Sequence, residues 1–398
     1  MIPPGKKHIA GLLAALLLIG FNIVYVSAST GFIHSASAVL ETDHYRYLEM
    51  ARRSNDLTRS KLAHEPPFCW RFLIPLIVFG LTKTGLSLNP AYYLTTNIFL
   101  VGYLFLFYLY LRRSGFELKY ALTGLILIAL TPGAVRWYEY QYWMTDPAGL
   151  FFVILGFYLI RSENTFGLLA VSIIAVAIRE TYLAVLVYYF FFLWKRSGLT
   201  AAAKKSAPII LIPAAVLILI RFLIAPSGDY NLIETASRVI SFRVENLWPQ
   251  QLYLLTLGSF GVIFPLLFLF PDTILRSCKN HYDSLIYVII IYLSLGAGYN
   301  TDRLLVYTLP VLLVGALTNL KKYLDYLKPP PAGAMILIIA LQAFFYASTK
   351  FYGYPAVSIF QPPNLPVSIC MFAFWALGCA AFYGRKRTPA SEKIGRIS

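Results

Sequence analysis

The sequence predicts an all-α protein built into a membrane, with about twelve spanning helices in a single domain covering 1–398. Three observations carry that prediction. Of the 398 residues, 58% are hydrophobic and only 13% are charged, whereas soluble proteins are ~45–50% apolar. The apolar residues fall in long blocks joined by short polar links. The formal charge of +16 comes from 34 Lys and Arg against 18 Asp and Glu, and the basic residues gather in alternate links, as in the cytoplasmic loops of membrane proteins. No basic patch interleaved with aromatics stands outside those links, which sets nucleic acid aside as a partner.

The first block, 9–29, follows Lys6 and Lys7 and ends at Val26-Ser27-Ala28, which could pass for a cleavage site. Its apolar run is nearer ~20 residues than the ~7–15 of a secretory signal, so it reads as an uncleaved first span. Stretches long enough for a ~30 Å hydrocarbon core place the others at 91–111, 119–138, 147–161, 165–178, 181–195, 207–225, 250–270, 284–298, 304–319, 333–348 and 366–384. The segment 68–81, FCWRFLIPLIVFGL, is apolar but short and is broken by Pro75. If it does not cross, 20 of the 34 basic residues lie on the side of the N-terminus. If it crosses, every later loop changes sides. The positive-inside rule therefore predicts an interfacial or re-entrant helix at 68–81, with both termini cytoplasmic.

This topology gives a long first extracytoplasmic loop, 29–90, containing juxtamembrane helices, and a basic cytoplasmic tail at 385–398. Cys69, Cys278, Cys370 and Cys379 are scattered and have no histidines at metal spacing, so neither a disulfide framework nor a zinc site is indicated. No acidic cluster of D-x-D type stands in the first loop. No cofactor is called for, and a divalent ion is left open.

Candidate chemistry concentrates in the links of one face. In E-T-D-H-Y-R-Y-L-E-M-A-R-R, Asp43, Arg46 and Glu49 stand at three-residue steps on a helix, with Tyr47 and Met50 toward the lipid side; a solvated face explains the spacing equally well. In H-E-P-P-F-C-W-R, Glu65 precedes a double proline that fixes an extended backbone, and Arg71 lies just inside an apolar helix, where it either acts or snorkels. In W-Y-E-Y-Q-Y-W-M-T-D-P, Asp146 opens a helix as its N-cap, with Pro147 first in the helix; the aromatic run fits an interfacial belt or a sugar-stacking surface. Arg179 and Glu180 lie between two apolar runs, and Asp302 and Arg303 precede another. Each couple reads as a local ion pair or as a functional one, because ionisable groups at membrane depth cost ~2.5–3.5 kcal/mol apiece. Their convergence on one face favours function.

Carboxylates beside arginines at a membrane surface suit transfer of a sugar from a polyprenyl phosphate. The lipid phosphate is an anionic leaving group that guanidinium forks bind and stabilise. A carboxylate then deprotonates the acceptor hydroxyl as it attacks from the opposite side of the anomeric carbon.

The motifs resemble those of the C-type glycosyltransferases, in the branch of the protein O-mannosyltransferases and lipid A aminoarabinose transferases. D-H-Y-R-Y-L-E-M-A-R is similar to the motif that opens their first external loop, H-E-P-P to their second acidic motif, Y-W-M-T-D-P to the start of a later helix, and D-R-L-L-V-Y-T-L-P to an arginine ahead of an L-P-x-L helix. The resemblance covers about the first 180 residues well and the rest thinly. It implies that Asp43 is the catalytic aspartate and Glu65 its acidic companion. It places Asp146 and Arg303 at family positions; with Arg46, Arg71, Arg179 and Glu180, singled out above from the residues themselves, these are the expected substrate-binding residues. The implied donor is a polyprenyl-phosphate sugar, the acceptor a lipid, glycan or protein, and the setting a bacterial cytoplasmic membrane and its lipids. The lysine that often follows the acidic residue is missing after Glu65, so Arg71 is the substitute phosphate contact. A lipid-linked sugar flippase or a membrane glycan polymerase is the competing class, but no internal repeat is visible and the long loop comes first rather than late.

Overall fold

The computed structural model of the chain describes residues 4–29, 43–52, 66–224, 226, 231–246, 254–270, 281–297, 301–327 and 331–348, with four isolated positions between 373 and 380. Among them there is no strand. Four helical stretches are long and apolar enough to cross a membrane: His8–Ser29, Leu88–Arg113, Leu199–Leu223 and Arg303–Tyr326. The expected span at 366–384 lies outside the described residues except at those four positions, and the tail at 385–398 lies wholly outside.

The elements are α1 (Pro4–Ser29), α2 (Asp43–Arg52), α3 (Leu73–Thr82), α4 (Leu88–Arg113), α5 (Leu118–Ala129), α6 (Arg136–Tyr140), α7 (Asp146–Arg161) and α8 (Thr165–Ile178). There follow α9 (Leu183–Ser197), α10 (Leu199–Leu223), α11 (Leu232–Asn246), α12 (Ile263–Leu267), α13 (Tyr282–Ser294), α14 (Thr301–Leu305), α15 (Leu309–Leu327) and α16 (Pro331–Ser348). At 1.5 Å per residue, α3 reaches about 15 Å, half of a ~30 Å hydrocarbon core. Its Pro75 sits in the first turn, where a missing N–H removes no helical bond.

Two expected spans are interrupted. The block at 119–138 stops at Leu130, where Pro132 follows, and resumes as the short α6. The block at 250–270 is broken by Thr256 at φ −127°, ψ −106° and by Gly261 at φ +57°. In the other direction, α10 runs unbroken from Leu199 with Pro208 and Pro213 inside it, so the lysines ahead of the expected start at 207 belong to the same helix. The helix α11 was not foreseen: its sequence, LIETASRVISFRVEN, lies in what reads as a polar link.

α4 is the organising element. It packs on α1, α5 and α7, while α8, α9 and α10 form a second layer that joins through α7. Buried apolar side chains from Ala15 to Ile338 make one continuous cluster. The close approaches are made at glycines, because a membrane helix gains little from apolar bulk and much from backbone proximity. A Cβ at Gly102 would stand 2.8 Å from the Phe151 ring, and one at Gly156 would stand 2.7 Å from the Tyr182 hydroxyl. By contrast α1 and α10 leave most of their apolar surface uncovered, with Leu17 74% and Phe222 83% exposed.

Candidate active site

The site forms where the α7 start, the α8–α9 turn, the approach to α3 and α14 meet. The α7 start brings the most buried acid. Asp146 is the first residue of the helix, with Thr145 in the cap position and Pro147 next. It was expected as the N-cap, but its carboxylate is fully buried and turned to arginines instead. Arg179 Nη1 lies 2.5 Å from Asp146 Oδ2, and Arg303 Nε lies 3.6 Å from Oδ1.

Arg179 and Glu180 are neighbours in sequence and not partners. Arg179 ends α8 in an extended conformation, φ −161°, ψ 126°, and Glu180 starts the 3-10 turn that leads into α9. An extended residue between two helical turns sends successive side chains to different sides. Arg179 therefore reaches Asp146, and Glu180 reaches Arg71. The Arg71 guanidinium engages Glu180 as a fork: Nε donates to Oε2 at 3.0 Å and Nη2 makes a shorter contact with Oε1. The local pair considered for Arg179–Glu180 therefore does not form, and Arg303 faces Asp146; the Asp302 side chain lies outside what is described.

Burial by itself would raise the Glu180 carboxyl. The charge and hydrogen bonds of Arg71, with Arg179 nearby, outweigh it and hold Glu180 down to about 2. Among the described residues, three guanidinium groups thus gather at the carboxylates of Asp146 and Glu180. Clustered guanidinium groups match an incoming anion in charge and shape.

Tyrosines hold the charges in place. The Tyr47 hydroxyl accepts from Arg71 Nη1 at 3.2 Å and from Thr145 at 3.4 Å, while the Tyr47 carbonyl accepts from the Tyr92 hydroxyl at 2.6 Å. Tyr47 and Met50, expected toward lipid, are 0% and 1% exposed: α2 is covered by protein on that face because it packs on α3. The Tyr307 ring lies beneath Arg179, 5.6 Å from the guanidinium carbon, and the Tyr287 hydroxyl donates to the Tyr307 carbonyl at 2.7 Å. Gly149 makes room for Tyr307, because a Cβ there would collide with its hydroxyl.

Of the residues singled out in the sequence, Arg71, Asp146, Arg179, Glu180 and Arg303 come together. Arg46 joins through Phe68, whose ring carries the Arg46 guanidinium 4.8 Å and the Arg71 guanidinium 5.8 Å from its centre. Asp43 is the first residue of α2, one turn before Tyr47. Glu65 lies outside the described residues. Glu49 pairs with Arg52 at 2.8 Å on the same short helix. Tyr47, Phe68 and Tyr307 were missed. The signal for Tyr307 was present: it follows Arg303 by four residues, hence on the same helical face.

A second buried acid stands on α6 itself. Glu139 is 0% exposed, neither of its carboxylate oxygens meets a donor at hydrogen-bond geometry, and Tyr93 and Asn97 are its nearest polar neighbours. Burial pushes its carboxyl up to about 7. Among the described residues no group of three His, Cys, Asp or Glu is placed to hold a metal ion. No protein-family model matches the chain, and no curated protein matches it.

Proposed function

We propose that this chain is a membrane glycosyltransferase that moves a sugar from a polyprenyl-phosphate donor to an acceptor hydroxyl, with inversion, on the extracytoplasmic face of a bacterial cytoplasmic membrane. The observation that carries the reading is the meeting of Arg71, Arg179 and Arg303 at the carboxylates of Asp146 and Glu180. Guanidinium forks match phosphate oxygens in shape and charge, and preorganised cations stabilise the charge that grows on a leaving phosphate.

In this reading Arg71 and Arg303 hold the phosphate, while Asp146 and Glu180 keep the arginines aligned when the site is empty. Asp43 is the general base and Glu65 positions the acceptor. The acceptor oxygen bonds to the anomeric carbon as the carbon–oxygen bond to phosphate breaks. The hydroxyl proton goes to Asp43, and the electron pair leaves with the lipid phosphate. The chain crosses the membrane about twelve times, with α2 and α3 lying along the surface in the first external loop. A flippase is the competing reading, and it is disfavoured because no internal repeat of the kind common in transporters is visible in the sequence.

The test is transfer itself. Membranes from an overexpressing strain are incubated with a set of radiolabelled polyprenyl-phosphate sugars. One label is expected to move to an acceptor, and Arg71→Lys should weaken that transfer at equal protein abundance. Absence of transfer from every donor, in membranes where the protein is folded, would overturn the proposal.

A further inference from the structure

The other end of α7 carries a site of a different kind. A cavity of about 250 Å³ opens between the α7–α8 turn, the end of α9 and the start of α10. Its rim is polar, with Glu163, Arg196, Ser197 and Lys205; its floor is apolar, with Leu168 and Phe192. The volume falls just below the ~300–1,000 Å³ of drug-sized pockets, so it suits a head group rather than a whole amphiphile.

The rim charges are unequal. Arg196 Nη1 pairs with Glu163 Oε1 at 2.7 Å, and its guanidinium also lies 4.4 Å from the centre of the Phe192 ring. Lys205 has no acidic partner among the described residues. Glu163 is held at φ +57°, a left-handed conformation that non-glycine residues seldom adopt and that tends to be kept at functional positions. That conformation sets its carboxylate opposite Arg196.

The neighbouring helix bears on the depth of the pocket. The pocket lies beside the first two turns of α10, one of the helices long and apolar enough to cross a membrane. Phe166, on the first turn of α8, is 83% exposed, and Trp194, on the last turn of α9, is 39% exposed. Trp at a helix end is a residue of the head-group level of a bilayer, and the bare Phe166 ring faces its apolar side. An apolar floor beneath a cationic rim at that level has the chemistry of an anionic phospholipid: phosphate above, acyl chains running down the uncovered side of α10.

We propose that this pocket binds the phosphate head group of an anionic phospholipid, with Lys205 as the free cation and Arg196 as a second that Glu163 holds in reserve. The site is separate from the arginine cluster and does not depend on the reaction assigned to it.

The test uses the purified full chain in a neutral detergent, with thermal unfolding followed as phosphatidylglycerol, phosphatidylcholine or inorganic phosphate is added. Phosphatidylglycerol is expected to raise the midpoint more than phosphatidylcholine does. Lys205→Gln should remove at least half of that excess, and Glu163→Gln, which releases Arg196, should enlarge it. Opposite shifts from two neighbouring surface positions are not what a general loss of packing produces. The proposal fails if neither variant changes the preference for the anionic lipid, or if inorganic phosphate alone reproduces the full shift.

Discussion

Two arginine–carboxylate pairs at the two ends of α7 show how far burial changes the meaning of the same contact. At the start of the helix, Arg179 and Asp146 are 3% and 0% exposed; past its end, Arg196 and Glu163 are 53% and 71% exposed. The exposed pair is screened by solvent and worth ~0–1 kcal/mol. The buried pair costs several kcal/mol to desolvate and persists only because its charges are held by partners. The first is adjustable, as a lipid-binding rim requires. The second is preorganised, as a reacting site requires.

The sharpest attack on this contrast is at the proposed chemistry. Asp43→Asn keeps the shape and removes the proton acceptor. Since general-base assistance is typically worth ~10²–10⁴ in rate, transfer per folded molecule should fall by about that factor, while Glu49→Gln should change little because Glu49 is engaged with Arg52. A normal rate in the Asn variant would remove the catalytic assignment.

Next in size is the stability of the buried cluster. Asp146→Ala leaves Arg179 and Arg303 without their carboxylate and should destabilise the protein by ~3–5 kcal/mol, read from denaturation in detergent. Adding Arg179→Met should recover part of that loss. Arg71→Lys is milder: it keeps the charge and loses the fork, and loss of one charge-assisted bond at ~1.5–3 kcal/mol translates into roughly tenfold or more in donor use at unchanged abundance.

Glu139 gives a smaller, pH-dependent signature. Its folded value of about 7 lies above the ~4.3 of an unfolded glutamate, so the folded state holds the proton more tightly. Stability should therefore fall as pH rises from about 4.3 to about 7 and then level off. In Glu139→Gln this component of the slope should vanish. Glu180, held down to about 2, behaves in the opposite sense: its contribution is complete above about pH 4.3 and is lost only as pH falls toward about 2. Smallest of all, Arg196→Gln should cost no more than ~1 kcal/mol, and less at high salt.

The sequence already shows much of the helical architecture. Ten-residue α3 with its early proline, the α7 start at Asp146-Pro147 and the apolar length of α10 are all legible, because hydrophobic length and proline position are local properties. Partners are not local. Arg179 beside Glu180 invites an ion pair, and only the extended backbone at Arg179 shows that the two side chains part. Tyr47 looks lipid-facing on a helix read alone, since nothing in ten residues says that α3 and α4 cover it. The break at Thr256 lies in an apolar run without a proline nearby, and a π turn leaves no mark in composition.

Tyr47 has one further consequence. α2 is only ten residues long, well below the ~12–15 at which an isolated helix is even marginal in water, so its helicity is borrowed from what it touches. Tyr47 contributes three hydrogen bonds to that attachment: its hydroxyl takes Arg71 and Thr145, and its carbonyl takes Tyr92. A helix too short to hold itself opens as a unit when its outside contacts let go. In amide exchange, α2 should lose protection in step with the arginine end of α3 rather than fray from its own ends, and Tyr47→Phe should shorten its closed lifetime while the core amides of α4 keep theirs.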